Sequence, residues 1–193
     1  MGLYLPVLYG TVREGRRSIT LARYVEQRLA QRPGVRTRFF DAAELPFGNL
    51  VRREWEIENP PQEVTDFVRE MGEADGFVIV TPEYNYSIPG ALKNVIDHLF
   101  DEWHRKPFGI VTAGGIGGGL RAADTLRQVI PGVRGVTVPS HVPVRDYAKA
   151  FNADGTPVDA VDLDRRLDIL FADLEWYAKA LQLARKESAD ANS

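Results

Sequence analysis

The sequence predicts an α/β protein built on an open parallel sheet with helices on both faces. Two observations carry this. Short apolar runs rich in Val, Ile and Phe alternate with longer segments of helical period, and several of the runs end in loops of glycine, proline and hydroxyl residues. A length of 193 residues suits one domain of this kind, and the whole chain, 1–193, is read as one.

The first strand is placed at Leu3–Tyr9, with Pro6 inside it. Proline has no N–H to give, so a lost ladder bond or a local edge is expected there. Leu21, Ala22, Val25 and Leu29 recur at helical spacing as the first helix, and Val35–Phe40 follows as the second strand. Asp41 to Gln62 is a long loop rich in Pro and Glu, and loops of that length are more often functional or interfacial than idle. Val64, Phe67, Val68 and Met71 mark the second helix and Gly76–Thr81 the third strand. The third helix, Ala91 to Trp103, carries Leu92, Val95, Ile96 and Leu99; a fourth strand at Pro107–Ala113 comes next. Ala123, Leu126 and Ile130 form the fourth helix, and Gly132 and Gly135 punctuate the entry to a fifth strand at Val133–Val138. The last helix, Asp162–Arg185, carries Leu163, Leu167, Leu170, Phe171, Leu174 and Leu181 and is expected to cover the open face of the sheet.

Composition narrows the function. No segment approaches the roughly eighteen unbroken apolar residues of a membrane span. Met1 to Tyr9 lacks a basic leader and reads as a strand, so a cytoplasmic protein is expected. Cysteine is absent, which excludes disulfides, thiolate metal sites and a cysteine nucleophile; redox chemistry must then come from a cofactor. A formal charge of −3 and a pI near 5.7 argue against a nucleic-acid partner. His98, His104 and His141 match no zinc spacing, and no metal is expected.

Ligands of open parallel sheets bind beyond the carboxyl ends of the strands, where three loops are unusual. Gly10 to Ser18 joins a strand to a helix start. Its glycines allow a tight turn, the helix N-terminus offers free N–H groups, Thr11 and Ser18 add hydroxyls, and Arg13 and Arg16 add charge-assisted donors, the makings of a terminal phosphate cradle. A plain polar turn with Ser18 as N-cap is the competing reading. The spacing approaches G-x-x-x-x-G-K-[ST], but Arg16 stands where lysine should be, Arg17 where Ser or Thr should bind magnesium, and Thr81 ends the third strand without an acid. A P-loop phosphotransferase is therefore the weaker alternative.

The second loop, Thr81 to Gly90, presents Pro82, Glu83, Tyr84, Asn85, Tyr86 and Ser87 between two prolines, a stiff segment suited to a flat heteroaromatic ring; two half-buried surface tyrosines are the bland alternative. The third, Ala113 to Gly119, lets a ligand approach backbone N–H groups closely, though as a dinucleotide fingerprint it fails at Leu120.

Together, Gly10-Thr11-x-Arg13-x-Gly15-Arg16, then Thr81-Pro82-Glu83-Tyr84-Asn85, then Pro89-Gly90-x-Leu92-Lys93-Asn94-x-Ile96-Asp97, resemble the NADPH-dependent FMN reductase family of flavodoxin-like proteins. The resemblance spans roughly Leu3 to Val144. It implies a flavodoxin-like three-layer sandwich with strand order 2-1-3-4-5, non-covalent FMN, and a homodimer or dimer of dimers. Thr11, Arg13, Arg16 and Ser18 would hold the phosphate, Pro82, Glu83, Tyr84, Asn85, Tyr86 and Ser87 would line the ring, and Gly114, Gly115 and Gly117 would complete its pocket. The implied activity is a ping-pong transfer of two electrons from NADPH or NADH to a quinone, azo compound, flavin or metal oxyanion. The flavin carries that chemistry, so no catalytic side chain is assigned. Glu83 is expected to anchor backbone or face solvent. A flavodoxin-like electron carrier without NAD(P)H activity is the rival, disfavoured by Arg13, Arg16 and the mild net charge. The oligomer is expected on the third helix, where Lys93 and Asp97 pair either within the helix or across subunits. Arg52, Arg53 and Arg121 could contact a 2′-phosphate, with plain surface charge the favoured reading.

Overall fold

A computed structural model describes residues 2–50 and 52–190, the side chains through 188; Met1, Val51 and residues 191–193 lie outside the described residues. The first strand forms as two pieces, β1 (Leu3–Tyr4) and β2 (Val7–Tyr9), interrupted where proline predicted. The interruption is confined: the N–H groups of Leu5 and Val7 reach the carbonyls of Arg36 and Arg38 at 2.9 Å, and Pro6 still accepts from Val78 at 3.0 Å. Helix α1 (Ile19–Ala30) leads to a second split strand, β3 (Val35–Arg36) and β4 (Phe39–Asp41). Then follow α2 (Gln62–Glu73), β5 (Phe77–Pro82), α3 (Gly90–His98), β6 (Pro107–Ala113), α4 (Leu120–Gly132), β7 (Val136–Val144) and α5 (Ala160–Asp190).

The main sheet runs β4-β2-β5-β6-β7, all parallel, with β1 pairing β3 at its edge. Taking each split strand as one gives the flavodoxin-like order 2-1-3-4-5. The strands bury both faces. On one, Leu21, Val25 and Leu29 of α1 and Leu167, Leu170, Phe171 and Leu174 of α5 pack on Val7, Tyr9, Val78, Val80 and Val111. On the other, Phe67 and Met71 of α2, Leu92, Val95 and Ile96 of α3 and Leu126 and Ile130 of α4 pack on Leu8, Phe77, Ile79, Phe108 and Ile110. Alternate residues of β5 and β6 thus feed opposite cores, the signature of a sheet covered twice.

Three boundaries differ from expectation. The fifth strand begins later and runs further than Val133–Val138. As an edge strand pairing only β6, it passes Pro139 and Pro143 and absorbs the irregularity in a register shift opposite Phe108 and Ile110. The third helix stops at His98 instead of Trp103. Leu99 turns extended (φ −116°, ψ 157°), and the buried Trp103 indole N–H returns to the carbonyl of Ile96 at 3.0 Å, satisfying a helix-end acceptor. The last helix is longer than Asp162–Arg185 at both ends.

The apolar residues of the third helix serve the subunit's own core. Leu92, Val95, Ile96 and Leu99 are all buried within the subunit, and Lys93 Nζ pairs with Asp97 in the same helix at 2.7 Å. His98 is buried, stacks on Phe47 of the long loop at 4.2 Å and shares a 2.7 Å hydrogen bond between Nδ1 and the Asn94 carbonyl. The long loop is tied down further by Asn94, which donates to Gly48 and accepts from Leu50. No helix among the described residues is long and apolar enough to cross a membrane.

Candidate functional site

The loops after β2, β5 and β6 meet at the carboxyl ends of their strands. Residues 13–18 of the first, 82–84 of the second and 113–114 of the third, with Tyr147, line one cavity of about 310 Å³. Larger hollows lie elsewhere, one of about 490 Å³ between β7 and the start of α5 among them, but none gathers these loops. Convergence of three chemically distinctive segments, and not volume, makes this cavity the candidate.

Gly10 packs against Leu92, so close that a Cβ there would lie 2.8 Å from the leucine side chain. The chain then turns away from β2. Buried Thr11 hydrogen-bonds the hydroxyl of Tyr84 at 2.9 Å, joining first loop to second. Arg16 organises the turn: one nitrogen donates to the carbonyl of Thr11 at 2.7 Å and to Asp41 Oδ1 at 2.8 Å, the other to Asp41 Oδ2 at 2.5 Å. Asp41 closes β4, its side chain only 1 % exposed, and so lies beside the loop that β2 launches. Buried Ser18 shares its hydroxyl with Tyr9 at 2.8 Å, and burial pushes the Tyr9 phenol up to about 12, so it stays a neutral partner. Among the described residues, the backbone N–H groups of Gly15, Arg17 and Ser18 meet no acceptor. Three unspent donors at a helix start, one on a buried residue, with the exposed Arg13 beside them, are what an anionic phosphate requires.

The second loop is a tight antiparallel turn. Tyr84 and Ser87 exchange backbone hydrogen bonds at 2.9 and 3.0 Å, with Asn85 (φ 48°) and Tyr86 (φ 66°) between them. Two consecutive left-handed residues make a type I′ turn, which glycine would normally occupy. A tyrosine held there is strained, and strain of this kind clusters at functional sites. Tyr86 is exposed and lies 4.4 Å from the guanidinium of Arg121. Glu83 takes the anchoring role: its N–H reaches Ala113 at 3.0 Å, and its carboxylate accepts from the N–H of Arg121 at 3.0 Å, in the first turn of α4. That carboxylate is thereby committed to the start of α4.

In the third loop Gly114 admits no side chain, since a Cβ would sit 2.6 Å from the Gly119 nitrogen; Gly115 and Gly117 face open space. Thr112 secures the loop by donating to the Gly118 carbonyl at 2.7 Å while its oxygen lies 2.8 Å from His141 Nε2. With the Thr112 hydrogen spent, His141 must be the donor in that contact, and burial lowers its pKa to about 4, so it is neutral near pH 7.

Of the residues predicted for the site, Arg13, Arg16, Ser18, Pro82, Glu83, Tyr84 and Gly114 line the cavity, and Thr11 lies behind Tyr84. Asn85, Tyr86, Ser87, Gly115 and Gly117 do not line it. Two participants were missed. Asp41 falls in the segment that the sequence reads as a long loop, although its place at the end of the strand beside the first is a usable signal. Tyr147 follows β7, whose end was placed too early; its N–H and that of Asp146 donate to Gly114 and Gly115, and its hydroxyl donates to the Arg17 carbonyl at 2.5 Å, tying the glycine loop to the first. Among the described residues, no group of three or more His, Asp or Glu could hold a metal.

The profile described as NADPH-dependent FMN reductase matches residues 5–150. A stretch of 56 residues is 55% identical to NAD(P)H-dependent FMN reductase C4B3.06c of Schizosaccharomyces pombe, and it spans 29% of this chain and only 28% of that protein. The similarity to the FMN-dependent NADPH-azoreductase of Staphylococcus aureus is weaker but longer: 28% identity over 156 residues, 78% of this chain and 81% of that one. In three dimensions the chain resembles FerB, a flavoenzyme NAD(P)H:(acceptor) oxidoreductase from Paracoccus denitrificans, with a TM-score of 0.73 at 24% identity over 92% of this chain and 98% of the other.

Proposed function

This chain belongs to the NADPH-dependent FMN reductase family, and on that premise we propose that its three loops hold FMN and that it passes electrons from NADPH or NADH to a small-molecule acceptor. The observation that carries the reading is the single cavity bounded by all three loops, with the buried N–H of Ser18 unspent at one end. The donors fit a phosphate monoester. Arg13 and Ser18 supply side-chain groups beside the N–H groups of Gly15, Arg17 and Ser18, Thr11 holds Tyr84 in place from behind, and the helix start adds a favourable partial charge. Arg16 is assigned to holding the loop through Asp41, with its charge largely committed there.

Pro82, Tyr84 and Gly114 line the part of the cavity assigned to the ring, where Gly114 permits contact with bare backbone. Asn85, Tyr86, Ser87, Gly115 and Gly117 belong to its rim. Bound FMN would supply the acceptance and delivery of two electrons. The protein's share is to bind, orient and keep charge in place: Glu83 fixes the second loop against α4, and Thr112, Asp146 and Tyr147 fix the third. The acceptor is proposed as a quinone, azo compound, flavin or metal oxyanion, since an open rim with no charged side chain committed to an acceptor discriminates weakly.

The test is a Thr11→Ala, Arg13→Ala double variant titrated with FMN. Losing one neutral and one charge-assisted bond should weaken binding by about a hundredfold, taking roughly 1 and 2 kcal/mol for the two. Full affinity in a variant with an unchanged circular dichroism spectrum would remove the phosphate assignment.

A further inference from the structure

The hollow of about 490 Å³ between β7 and the start of α5 shares no lining residue with the flavin cavity and is larger than it. Its size falls within the range of about 300–1,000 Å³ common to small-molecule pockets. The deep wall is apolar, made by buried Val144, Pro157 and Leu163 with partly buried Pro143 and Ala150, while Val158 is 62% exposed.

Charge around this wall is one-sided in what it leaves free. Asp159 accepts from the N–H of Asp162 at 3.0 Å, and Asp162 pairs with Arg165 and Arg166, each at 2.7 Å, so both carboxylates are engaged in the first turns of α5. Arg166 is engaged as well, donating to the Pro143 carbonyl at 2.7 Å. Arg145 and Lys149 also line the hollow, both are exposed, and among the described residues neither side chain has a hydrogen-bond or ion-pair partner. An apolar wall beside two uncommitted cations, with the nearby acids already paired, is complementary to a small organic anion with a flat apolar body.

The hollow also has a route to the flavin site. A single turn, residues 145–150, lies between the two: Arg145, Lys149 and Ala150 line the hollow, and Tyr147 lines the cavity. The N–H groups of Asp146 and Tyr147 tie this turn to the carbonyls of Gly115 and Gly114 at 2.9 and 3.0 Å. Arg145 abuts the same loop, since a Cβ on Gly118 would come within 3.0 Å of its Cγ. Asp146 sits in the left-handed region at φ 42°, so contacts on both sides, and not the turn's own preference, hold its shape.

We propose that this hollow binds a small aromatic carboxylate at Arg145 and Lys149, and that its occupant braces the turn and with it the glycine loop. The binding stands independently of the flavin reading; the coupling rests on it. By linkage, carboxylate and FMN then tighten each other by the same factor.

Calorimetric titration of the full chain with cinnamate, with and without saturating FMN, tests both parts. One cinnamate per chain is expected, and the neutral cinnamamide should bind at least about tenfold more weakly, since it forfeits the charge-assisted bonds. The Arg145→Ser, Lys149→Ser double variant should lose a similar factor. Val158→Glu, which sets a like charge in the hollow without opening the core, should abolish binding. Saturating FMN should raise cinnamate affinity about fivefold. Absence of binding, binding that Val158→Glu leaves intact, or displacement of cinnamate by FMN would overturn the site, the last two by placing the probe elsewhere. Equal affinity with FMN bound and absent would overturn the coupling. A chain that binds cinnamate as expected but takes up no FMN would strike the flavin reading and support the site.

Discussion

Asp41→Asn keeps the side chain's shape and removes the charge that holds Arg16. The pair is two-pronged, at 2.8 and 2.5 Å, with the carboxylate 1% and the guanidinium 19% exposed. Removing one member of a fully buried ion pair costs about 3–5 kcal/mol, and a hydrogen bond to a charged group contributes about 1.5–3. Arg16 keeps some water and its bond to Thr11, and Asn still accepts once, so the lower range applies: a stability loss of about 2 kcal/mol. The flavin site should feel part of this, because Arg16 fixes the carbonyl of Thr11 at the start of the loop. If half to two-thirds of the loss reappears as disorder that binding must reverse, the FMN dissociation constant rises about five- to tenfold. Urea unfolding reads the first quantity and FMN fluorescence quenching the second. The reasoning fails if Asp41→Asn unfolds at the wild-type midpoint and binds FMN with wild-type affinity.

Gly114→Ala should cost at least about tenfold in FMN affinity, since a Cβ 2.6 Å from the Gly119 nitrogen forces backbone to move, with overpacking typically costing about 1–3 kcal/mol; an unchanged dissociation constant would contradict the tight closure of the loop. Tyr86→Gly should stabilise the fold by about 0.5–1 kcal/mol, the relief of a left-handed non-glycine residue less the exposed contact with Arg121, and chemical denaturation showing a loss would refute the strain. Burial holds His141 near a pKa of about 4 in the folded protein, while the unfolded chain binds its proton near 6.5. Between those values the unfolded state carries more protons, so stability is full above about pH 6.5 and declines as pH falls toward 4, by about 2 kcal/mol after allowing for partial exposure. His141→Gln should flatten that part of the stability profile, and an unaltered slope would exclude His141 as its source.

The three loops were legible because their signals are local: glycine, proline and hydroxyl residues directly after an apolar strand. The strands and helices followed from period, with Pro6 marking its own interruption, while the strand order came with the family resemblance. What stayed hidden depends on topology or on context. Asp41 and Tyr147 reach the site only because β4 lies beside β2 and β7 beside β6, so neither advertises itself in its own segment. Strand β7 continues past Pro139 and Pro143 because it is an edge, and α3 stops at His98 because the Trp103 indole has a carbonyl to reach. The reach of the second loop was overread for a related reason: the type I′ turn lifts Asn85 and Tyr86 away from the cavity that Pro82, Glu83 and Tyr84 line.

The central claim is that the loops after β2, β5 and β6 form one flavin site served by a pyridine nucleotide. A visible spectrum of the purified protein, reconstituted with FMN and recorded anaerobically before and after NADPH, tests it most directly. The account predicts flavin absorbance retained after desalting at one FMN per chain and bleached by NADPH. A protein that releases all its FMN on desalting, or holds it and is bleached by neither NADPH nor NADH, would contradict it.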